Sequence, residues 1–336
     1  MSSNKNPHRP PVEKTVKTSL TKTSDTERKV VEVNDFSIAD IPNVMDKLGW
    51  KEGARLMRHW FTGAPYEMSL AYKIGTKDDR DLKKSGHTLE NIDFNWLSTS
   101  STRTKKIVAS LIIDFSGEHR EYGQRIGRTQ NTLDQLSKGL IEFMHKLEIL
   151  GLLSREKQQL TLSNCNYSAK AAIELDHISQ FNREIIGASL WEKGTDAFDD
   201  VYAALGAFNI KMAATKFSTA YDVETGFSKI HITEIGIYIR DSYDFLGSEQ
   251  LLGYWSQHGL LKPSAWQYSI SKPDAIDSDN KRYFKVTNAS FNEYRKNFNK
   301  GGDFAVYSTV KLIPTDIDIH LSAIDFEEYI ERIKHQ

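Results

Sequence analysis

The sequence predicts an α+β fold in which a helical N-terminal half is followed by a β-rich C-terminal half that forms an antiparallel sheet or half-barrel. Up to about residue 163, apolar residues recur at spacings of three and four, which is typical of amphipathic helices. After Gly194 they alternate with polar residues, which is typical of half-buried strands. We therefore expect a tail at residues 1–30, a helical domain at 31–190 and a β-rich domain at 195–336.

The tail at residues 1–30 is predicted to be disordered. It holds seven Lys and Arg residues, three Asp and Glu residues and nine Ser and Thr residues, so it has little apolar surface to bury. It also lacks the apolar stretch of about 7–15 residues that a secretory signal needs. We expect a protein that is made in the cytoplasm without an ordinary export signal.

The helical domain is predicted to contain several amphipathic helices separated by one long polar loop. The predicted helices cover residues 40–61, 107–115, 129–150 and 169–186. Residues 75–101 are rich in Lys, Asp, Ser and Thr and are predicted to be a loop. The leucine stripe that runs from Leu133 to Leu150 indicates either packing inside the domain or a surface for a partner helix.

The β-rich domain is predicted to begin with two long strands, at residues 208–214 and 227–241. The apolar phase changes within the second strand, because Ile232 and Ile235 are separated by an odd number of positions. Either a β-bulge near Glu234 restores the phase, or the strand is buried on both faces. A helix at 288–298, a strand at 304–313 and a terminal helix through Phe326 and Ile333 complete the prediction.

Composition excludes several classes of protein. The 44 basic residues nearly balance the 45 acidic ones, and the chain outside the tail carries 37 basic and 42 acidic residues. Such a body lacks the basic excess of a general nucleic-acid binder, so no nucleic-acid partner is expected. No apolar run approaches the roughly 20 residues that span a bilayer. Cys165 is the only cysteine, which excludes internal disulfides and cysteine-based zinc clusters.

The end of the second long strand carries the clearest candidate site, Asp241-Ser242-Tyr243-Asp244. In an extended chain, Asp241 and Tyr243 point to the same side, and a turn after Phe245 could bring Asp244 back towards them. Two neighbouring carboxylates can hold a hard cation such as Mg²⁺, or one can act as an acid or base whose pKa the other raises. The alternative is that both aspartates serve only the turn at the strand end.

Positive charge for a phosphate group could come from a second segment of the β-rich domain. Arg295 and Lys300 lie just before a Gly-Gly turn that precedes the strand beginning at Phe304. The chain has no phosphate-binding loop, no serine-hydrolase elbow and no histidine pair at metal-binding spacing.

Four segments of the sequence resemble an uncharacterised bacterial family whose members lie near type VI secretion genes. These segments are Asp199–Phe208, Arg240–Phe245, Leu252–Trp255 and Lys300–Phe304. The C-terminal half is also distantly similar to the catalytic domain of colicin M-type bacteriocins, in which an Asp-x-Tyr-Asp-Phe run follows two strands introduced by a Leu-Gly segment. Here Leu205-Gly206, the two predicted strands and the run from Asp241 to Phe245 occur in that order.

The colicin M-type resemblance implies a Mg²⁺-assisted phosphodiesterase that cleaves lipid II between undecaprenol and pyrophosphate. It would make Asp241, Tyr243 and Asp244 catalytic, with the two aspartates facing the metal. The sequence departs from the colicin pattern because it lacks the His-Arg pair that follows the run. Arg240, Arg295 or Lys300 would then have to stabilise the pyrophosphate leaving group.

We therefore hypothesise an antibacterial effector of a type VI secretion system that acts on a lipid-linked substrate in the periplasm of the target cell. Its expected partners are a component of the secretion spike or tube and an immunity protein. The alternatives are a non-enzymatic adaptor of the secretion apparatus, with the leucine stripe as its partner surface, and a membrane-disrupting toxin.

Overall fold

A computed structural model describes residues 36–115, 120–121, 139, 142–153, 163–186, 199–222, 227–247, 250–261, 273–321 and 331. The predicted tail, residues 129–138 of the predicted third helix and nearly all of the predicted terminal helix lie outside these ranges.

The helices are short, and most of them lie in the first 115 residues. In chain order they are α1 (Ile41–Lys47), α2 (Lys51–Thr62), α3 (Leu70–Lys73), α4 (Asp79–Lys84), α5 (Trp96–Ser100), α6 (Thr102–Phe115), α7 (142–149), α8 (Ala172–Ile178), α9 (Asp200–Leu205) and α10 (Asn288–Phe298). Gly49, at φ +80°, separates α1 from α2. The helices predicted at 40–61, 107–115 and 288–298 are confirmed.

The strands lie mostly in the second half of the chain. They are β1 (Thr88–Ile92), β2 (Arg120–Glu121), β3 (Ser163–Asn166), β4 (Gln180–Ile186), β5 (Phe208–Asp222), β6 (Phe227–Tyr243), β7 (Leu251–Ser256), β8 (Gly259–Leu261), β9 (Ala275–Ser278), β10 (Lys281–Thr287), β11 (Phe304–Ser308) and β12 (Lys311–Leu321). They form an eight-stranded sheet and a four-stranded sheet.

The antiparallel pair of long strands β5 and β6 forms the centre of the larger sheet. On the outer side of β5 lie β3 and β4, each paired with a different part of it. On the outer side of β6, β11 pairs with the C-terminal end and β12 with the rest. The short strands β1 and β2 complete the sheet by pairing in parallel with β11 and β12. The smaller sheet has the order β8-β7-β10-β9 and is antiparallel throughout.

The predicted fold class is wrong in its separation of a helical half from an antiparallel β half. The larger sheet takes four strands, β1 to β4, from the first 186 residues, and two of its pairings are parallel. Helices are concentrated towards the N-terminus and strands towards the C-terminus, but both belong to one mixed α/β arrangement. Short strands with polar faces in the first half escaped a prediction that relied on apolar periodicity.

Two predicted elements of the first half differ from the structure for related reasons. The predicted loop at 75–101 contains α4, β1 and α5, and β1 is an edge strand whose side chains are mostly half-buried. The predicted helix at 169–186 is helical only at α8 and continues as strand β4. Phe181 and Ile185 have helical spacing, but their segment pairs with β5, and such a short apolar pattern fits either structure.

The predicted β-bulge near Glu234 is confirmed. The pairing of β6 with β5 shifts on both sides of the Lys216–Glu234 pair, and its pairing with β12 shifts beyond Pro314. As a result, Ile232 and Ile235 are both fully buried in the same apolar core. The predicted strand at 304–313 is split into β11 and β12.

The main apolar core lies between one face of the larger sheet and the helices α1, α2, α6 and α7. Trp60 of α2, Phe143 of α7 and Ile237 of β6 are fully buried in it. The opposite face of the sheet is covered by a smaller cluster that includes Leu175, Tyr238 and Tyr307. Among the described residues, no helix has both the length and the apolarity needed to cross a membrane.

Candidate active site

A cavity of about 430 Å³ lies at the C-terminal end of β6, and residues of both sheets line it. Its polar lining residues include Lys73, Asn209, Asp241, Ser242, Asp244 and Gln250. Its apolar lining residues include Met45, Trp50, Met57, Leu251, Trp255 and Leu260. The volume is in the range of pockets that bind small molecules, and polar groups set among apolar side chains are typical of such pockets.

The cavity forms where β5 no longer covers the edge of β6. The pairing between the two strands reaches Asn209 and Arg240, and the chain before β5 turns away at Gly206, whose φ is +60°. On the other edge of β6, β11 continues to pair, with Val306 opposite Asp241. The end of β6 is therefore held rigidly by one neighbour and left open on the side of the cavity.

The helix α9, which leads into the turn at Gly206, is held in place by polar contacts of its first residue, Asp200. The Asp200 carboxylate accepts hydrogen bonds from the backbone N–H groups of Glu52 and Gly53, at 3.1 and 2.8 Å, and from the indole of Trp96 at 3.2 Å. These bonds fasten α9 to the first turn of α2. They give the short helix a fixed place on the cavity wall.

Asp241 is a buried carboxyl group on the core-facing side of β6. Only 8% of the residue is exposed, and no Lys, Arg or His of the described chain forms an ion pair with it. Burial raises the pKa of Asp241 well above its usual range and outweighs the lowering effects of the Ser242 N–H and the Arg240 charge, while the Asp244 charge raises the pKa further. Asp241 therefore stays protonated at pH values where an ordinary aspartate is ionised.

Tyr243 lies on the same side of β6 and points into the core. Its hydroxyl group donates to the Met57 sulfur at 3.4 Å, and its ring stacks on Phe304 with 5.1 Å between centroids. Burial, together with the Asp241 charge, raises the pKa of the Tyr243 phenol. The phenol is therefore a neutral group that forms part of the cavity wall beside Asp241.

Asp244 is paired with a lysine that the sequence analysis missed. Lys73 Nζ lies 2.8 Å from Asp244 Oδ1, and the same oxygen accepts the Leu246 N–H at 3.1 Å. The Asp244 side chain is 1% exposed, whereas the Lys73 side chain is 41% exposed and lines the cavity. Lys73 is 171 positions away in the sequence and belongs to no motif, so only the folded chain brings it to the site.

Arg240 faces the other side of the sheet, where the protein itself uses its guanidinium group. The Nε atom lies 2.9 Å from Asp79 Oδ2, and the two terminal nitrogens donate to Asp79 Oδ1, Ser242 Oγ and the carbonyl groups of Tyr72 and Lys73. Burial disfavours its charged form, but Asp79 and Tyr307 more than offset this and raise the pKa of Arg240. All five N–H donors of the guanidinium have protein acceptors, so Arg240 has none left for the predicted phosphate contact.

Arg295 and Lys300 do not line the cavity. Arg295 is buried, forms an ion pair with Asp303 and donates to the Gly301 carbonyl at 2.8 Å. Asp303 also accepts the Trp60 indole N–H at 2.8 Å, and burial raises its pKa to about 6. Lys300 is exposed to solvent. The structure thus brings together Asp241, Tyr243 and Asp244, and it assigns Arg295 to a buried junction instead.

The donor set of the cavity does not fit the predicted Mg²⁺ ion. Burial and the neighbouring Asp244 charge raise the pKa of Asp241, which disfavours its anionic form, and Asp244 is already engaged by Lys73 and a backbone N–H. Mg²⁺ binds anionic oxygen ligands that are free to enter its coordination sphere. The part of the chain that the structure describes also contains no group of three or more His, Cys, Asp or Glu side chains suited to a metal. The chemistry proposed for the cavity therefore uses no metal ion.

The arrangement has the features of a general-acid site. A buried carboxyl group with a raised pKa and a partly exposed ammonium group both line the cavity, together with apolar side chains. Catalytic acids are commonly tuned in this way, by burial that keeps a carboxyl group protonated near neutral pH.

Comparison with known proteins yields one family match. Residues 36–323 match the model of DUF6402, which is described as a family of unknown function. No curated protein and no solved structure matches the chain.

Proposed function

The chain belongs to the DUF6402 family, and we propose that it is a hydrolase that cleaves a phosphate ester, with Asp241 as its general acid. The observation that carries the proposal is the buried carboxyl group of Asp241 in the wall of the cavity, which forms no ion pair among the described residues and whose pKa is raised by burial. Keeping such a group inside an apolar core is costly, and strongly shifted acids in clefts are frequent at functional sites.

The proposed step is the hydrolysis of a phosphodiester. The oxygen of a water molecule forms a bond to phosphorus while the bond from phosphorus to the leaving oxygen breaks. Asp241 gives its proton to the leaving oxygen, which departs as an alcohol. The proton that the water loses returns to the Asp241 carboxylate through solvent, so the enzyme is restored.

Lys73 supplies the positive charge that the reaction requires. Its ammonium group lines the cavity, and Asp244 is its ion-pair partner among the described residues, so further N–H donors remain for a ligand. Because Asp244 offsets part of the charge, the site suits a phosphoryl unit with one negative charge, such as that of a phosphodiester or each unit of a pyrophosphate diester, better than a dianionic phosphate monoester.

The finer identity of the substrate rests on the resemblance to colicin M-type enzymes. We propose lipid II or a related lipid-linked phosphate ester, whose apolar part would lie against Trp50, Trp255 and Leu260. We further propose that the protein is a type VI secretion effector carried by a spike or tube component and neutralised in its producer by an immunity protein. It would then act in the periplasm of the target cell.

The leucine stripe gives the adaptor alternative no support within the described residues. Phe143 and Leu147 of α7 are fully buried in the main core, as expected for packing inside the chain. Leu150, at the end of the stripe, is 44% exposed.

The proposal can be tested with the full chain directed to the periplasm of a Gram-negative host by an added export signal. We expect lysis with the native sequence and with Asp277→Asn, which changes an exposed aspartate of β9. We expect no lysis with Asp241→Asn. In parallel, purified protein should release polyprenol from lipid II. Lysis and release that persist in Asp241→Asn would overturn the assignment of the acid.

A further inference from the structure

We propose that Arg240 is a positioning residue that fixes Lys73 in the wall of the cavity. The inference rests on the proposed function for its catalytic meaning, but the placement of Lys73 can be measured without any activity. Arg240 was expected to bind phosphate. Its guanidinium contacts indicate that it acts on the substrate site through the segment that carries Lys73 and not by binding phosphate itself.

Arg240 and Asp244 hold opposite ends of Lys73. Arg240 Nη1 donates to the Lys73 carbonyl oxygen at 3.1 Å, while Asp244 Oδ1 accepts from Lys73 Nζ at 2.8 Å. Both holding residues belong to the end of β6 and the turn that follows it. A long, flexible lysine side chain is thereby fixed at its backbone and at its ammonium group by one rigid element.

The helix that carries Lys73 has little buried apolar surface of its own, although its Tyr72 packs, partly buried, against the smaller apolar cluster. α3 has four residues and none of them is buried. Leu70 is 61% exposed and Ile74, just beyond the helix, is 57% exposed. A segment with so little buried apolar surface opens readily unless polar contacts hold it. Arg240 provides those contacts through the carbonyl groups of Tyr72 and Lys73.

The Arg240 guanidinium is itself held in place by a buried network of charged and polar side chains. Asp79 accepts two of its N–H groups, and the Tyr307 hydroxyl group donates to Asp79 at 2.8 Å while its oxygen lies 3.2 Å from Asp176 Oδ2. Lys211 in turn forms an ion pair with Asp176 at 2.8 Å. Asp79 and Asp176 face the cations Arg240 and Lys211, and Lys146, whose ammonium group donates to the Asp176 carbonyl at 2.7 Å, adds a third cation. The guanidinium can therefore remain charged and oriented inside the fold.

The test compares the chemical reactivity of Lys73 in matched variants of the full chain. Arg240→Lys keeps the charge but cannot reach both carbonyl groups and Asp79. Asp79→Asn is a second variant that preserves shape and loosens the guanidinium. Arg295→Lys is the control, because Arg295 is another buried arginine with a carboxylate partner that does not contact α3.

Two readouts need no turnover: the rate of acetylation of Lys73, followed by mass spectrometry, and amide hydrogen exchange over residues 70–77. In Arg240→Lys and Asp79→Asn we expect both rates to rise about tenfold, the change that corresponds to the loss of one hydrogen bond to a charged group. In Arg295→Lys we expect the rates at this segment to stay unchanged even if the melting temperature falls. Unchanged rates in both Arg240→Lys and Asp79→Asn would overturn the proposal.

The catalytic part is tested separately, with a double-mutant cycle. If Arg240 acts through Lys73, Arg240→Lys should lower kcat/KM in the native background and have no effect in a Lys73→Met background. An equal loss in both backgrounds would mean that Arg240 acts by another route. Altered Lys73 reactivity in a protein without hydrolytic activity would uphold the positioning role and reject the proposed function.

Discussion

Arg240 and Asp241 are neighbours in β6, and the alternation of the strand gives them opposite electrostatic roles. Arg240 faces a polar network in which every N–H of its guanidinium has an acceptor. Asp241 faces the apolar core and the cavity, where no cation of the described residues pairs with it. The Arg240 charge is thereby stabilised by its contacts, whereas burial disfavours the charged form of Asp241 and raises its pKa.

The first prediction concerns catalysis by Asp241. Asp241→Asn keeps the size of the side chain but cannot release a proton, so we expect kcat to fall by about 10²–10⁴-fold, the usual contribution of a general acid. We expect substrate affinity to change little. Initial rates and direct binding of lipid II by the native protein and the variant provide the measurement. A variant with more than a tenth of native kcat would argue against the role.

The second prediction concerns the pH dependence of stability. Because the pKa of Asp241 is raised in the folded state, unfolding releases its proton at pH values above the ordinary pKa of aspartate. The stabilising effect of this carboxyl group is therefore fully present below about pH 4 and is lost as the pH rises towards its folded-state pKa. Denaturant unfolding from pH 4 to 8 should show the native protein losing stability relative to Asp241→Asn. A constant difference would contradict the prediction.

The third prediction concerns the junction around Asp303. This carboxylate accepts hydrogen bonds from Trp60 of α2, the Met68 backbone and Arg295 of α10. Asp303→Asn removes the buried carboxylate partner of Arg295 and leaves it with the largely exposed Glu67 carboxylate at 3.5 Å, so we expect a loss of about 3–5 kcal/mol in the free energy of unfolding. Urea denaturation measures it, with Asp277→Asn as an exposed control that should change stability by less than about 0.5 kcal/mol.

The fourth prediction concerns Mg²⁺. The state of Asp241 and the pairing of Asp244 leave the cavity with no free carboxylate pair, so hydrolysis should proceed at the same rate in EDTA and in millimolar Mg²⁺. Rates measured with protein dialysed against a chelator provide the test. Abolition by EDTA and recovery with Mg²⁺ would restore the metal role that the colicin M-type resemblance implies.

The sequence predicted the parts of the fold and the site that depend on local patterns. The bulge near Glu234 followed from the phase of the isoleucines, and Asp241 and Asp244 followed from a short run at a strand end. Lys73 could not be found in this way, because its partner is distant in sequence and its segment has no periodicity. The role of Arg240 was misjudged because a strand residue next to a carboxylate gives no sign of what covers the opposite face of the sheet.

The fifth prediction concerns the coupling between Lys73 and Asp244. Lys73→Met removes the partner of a carboxylate whose side chain is 1% exposed, so we expect it to lower the free energy of unfolding by about 1–3 kcal/mol. Adding Asp244→Asn should recover part of that loss, because the uncompensated charge is gone. Both Lys73→Met and the double variant should bind lipid II more weakly, since both lack the ammonium group. Urea denaturation and direct binding separate the two effects. If the double variant recovered native affinity as well as stability, Lys73 would serve only to neutralise Asp244, and the substrate phosphate would have to be held by another group.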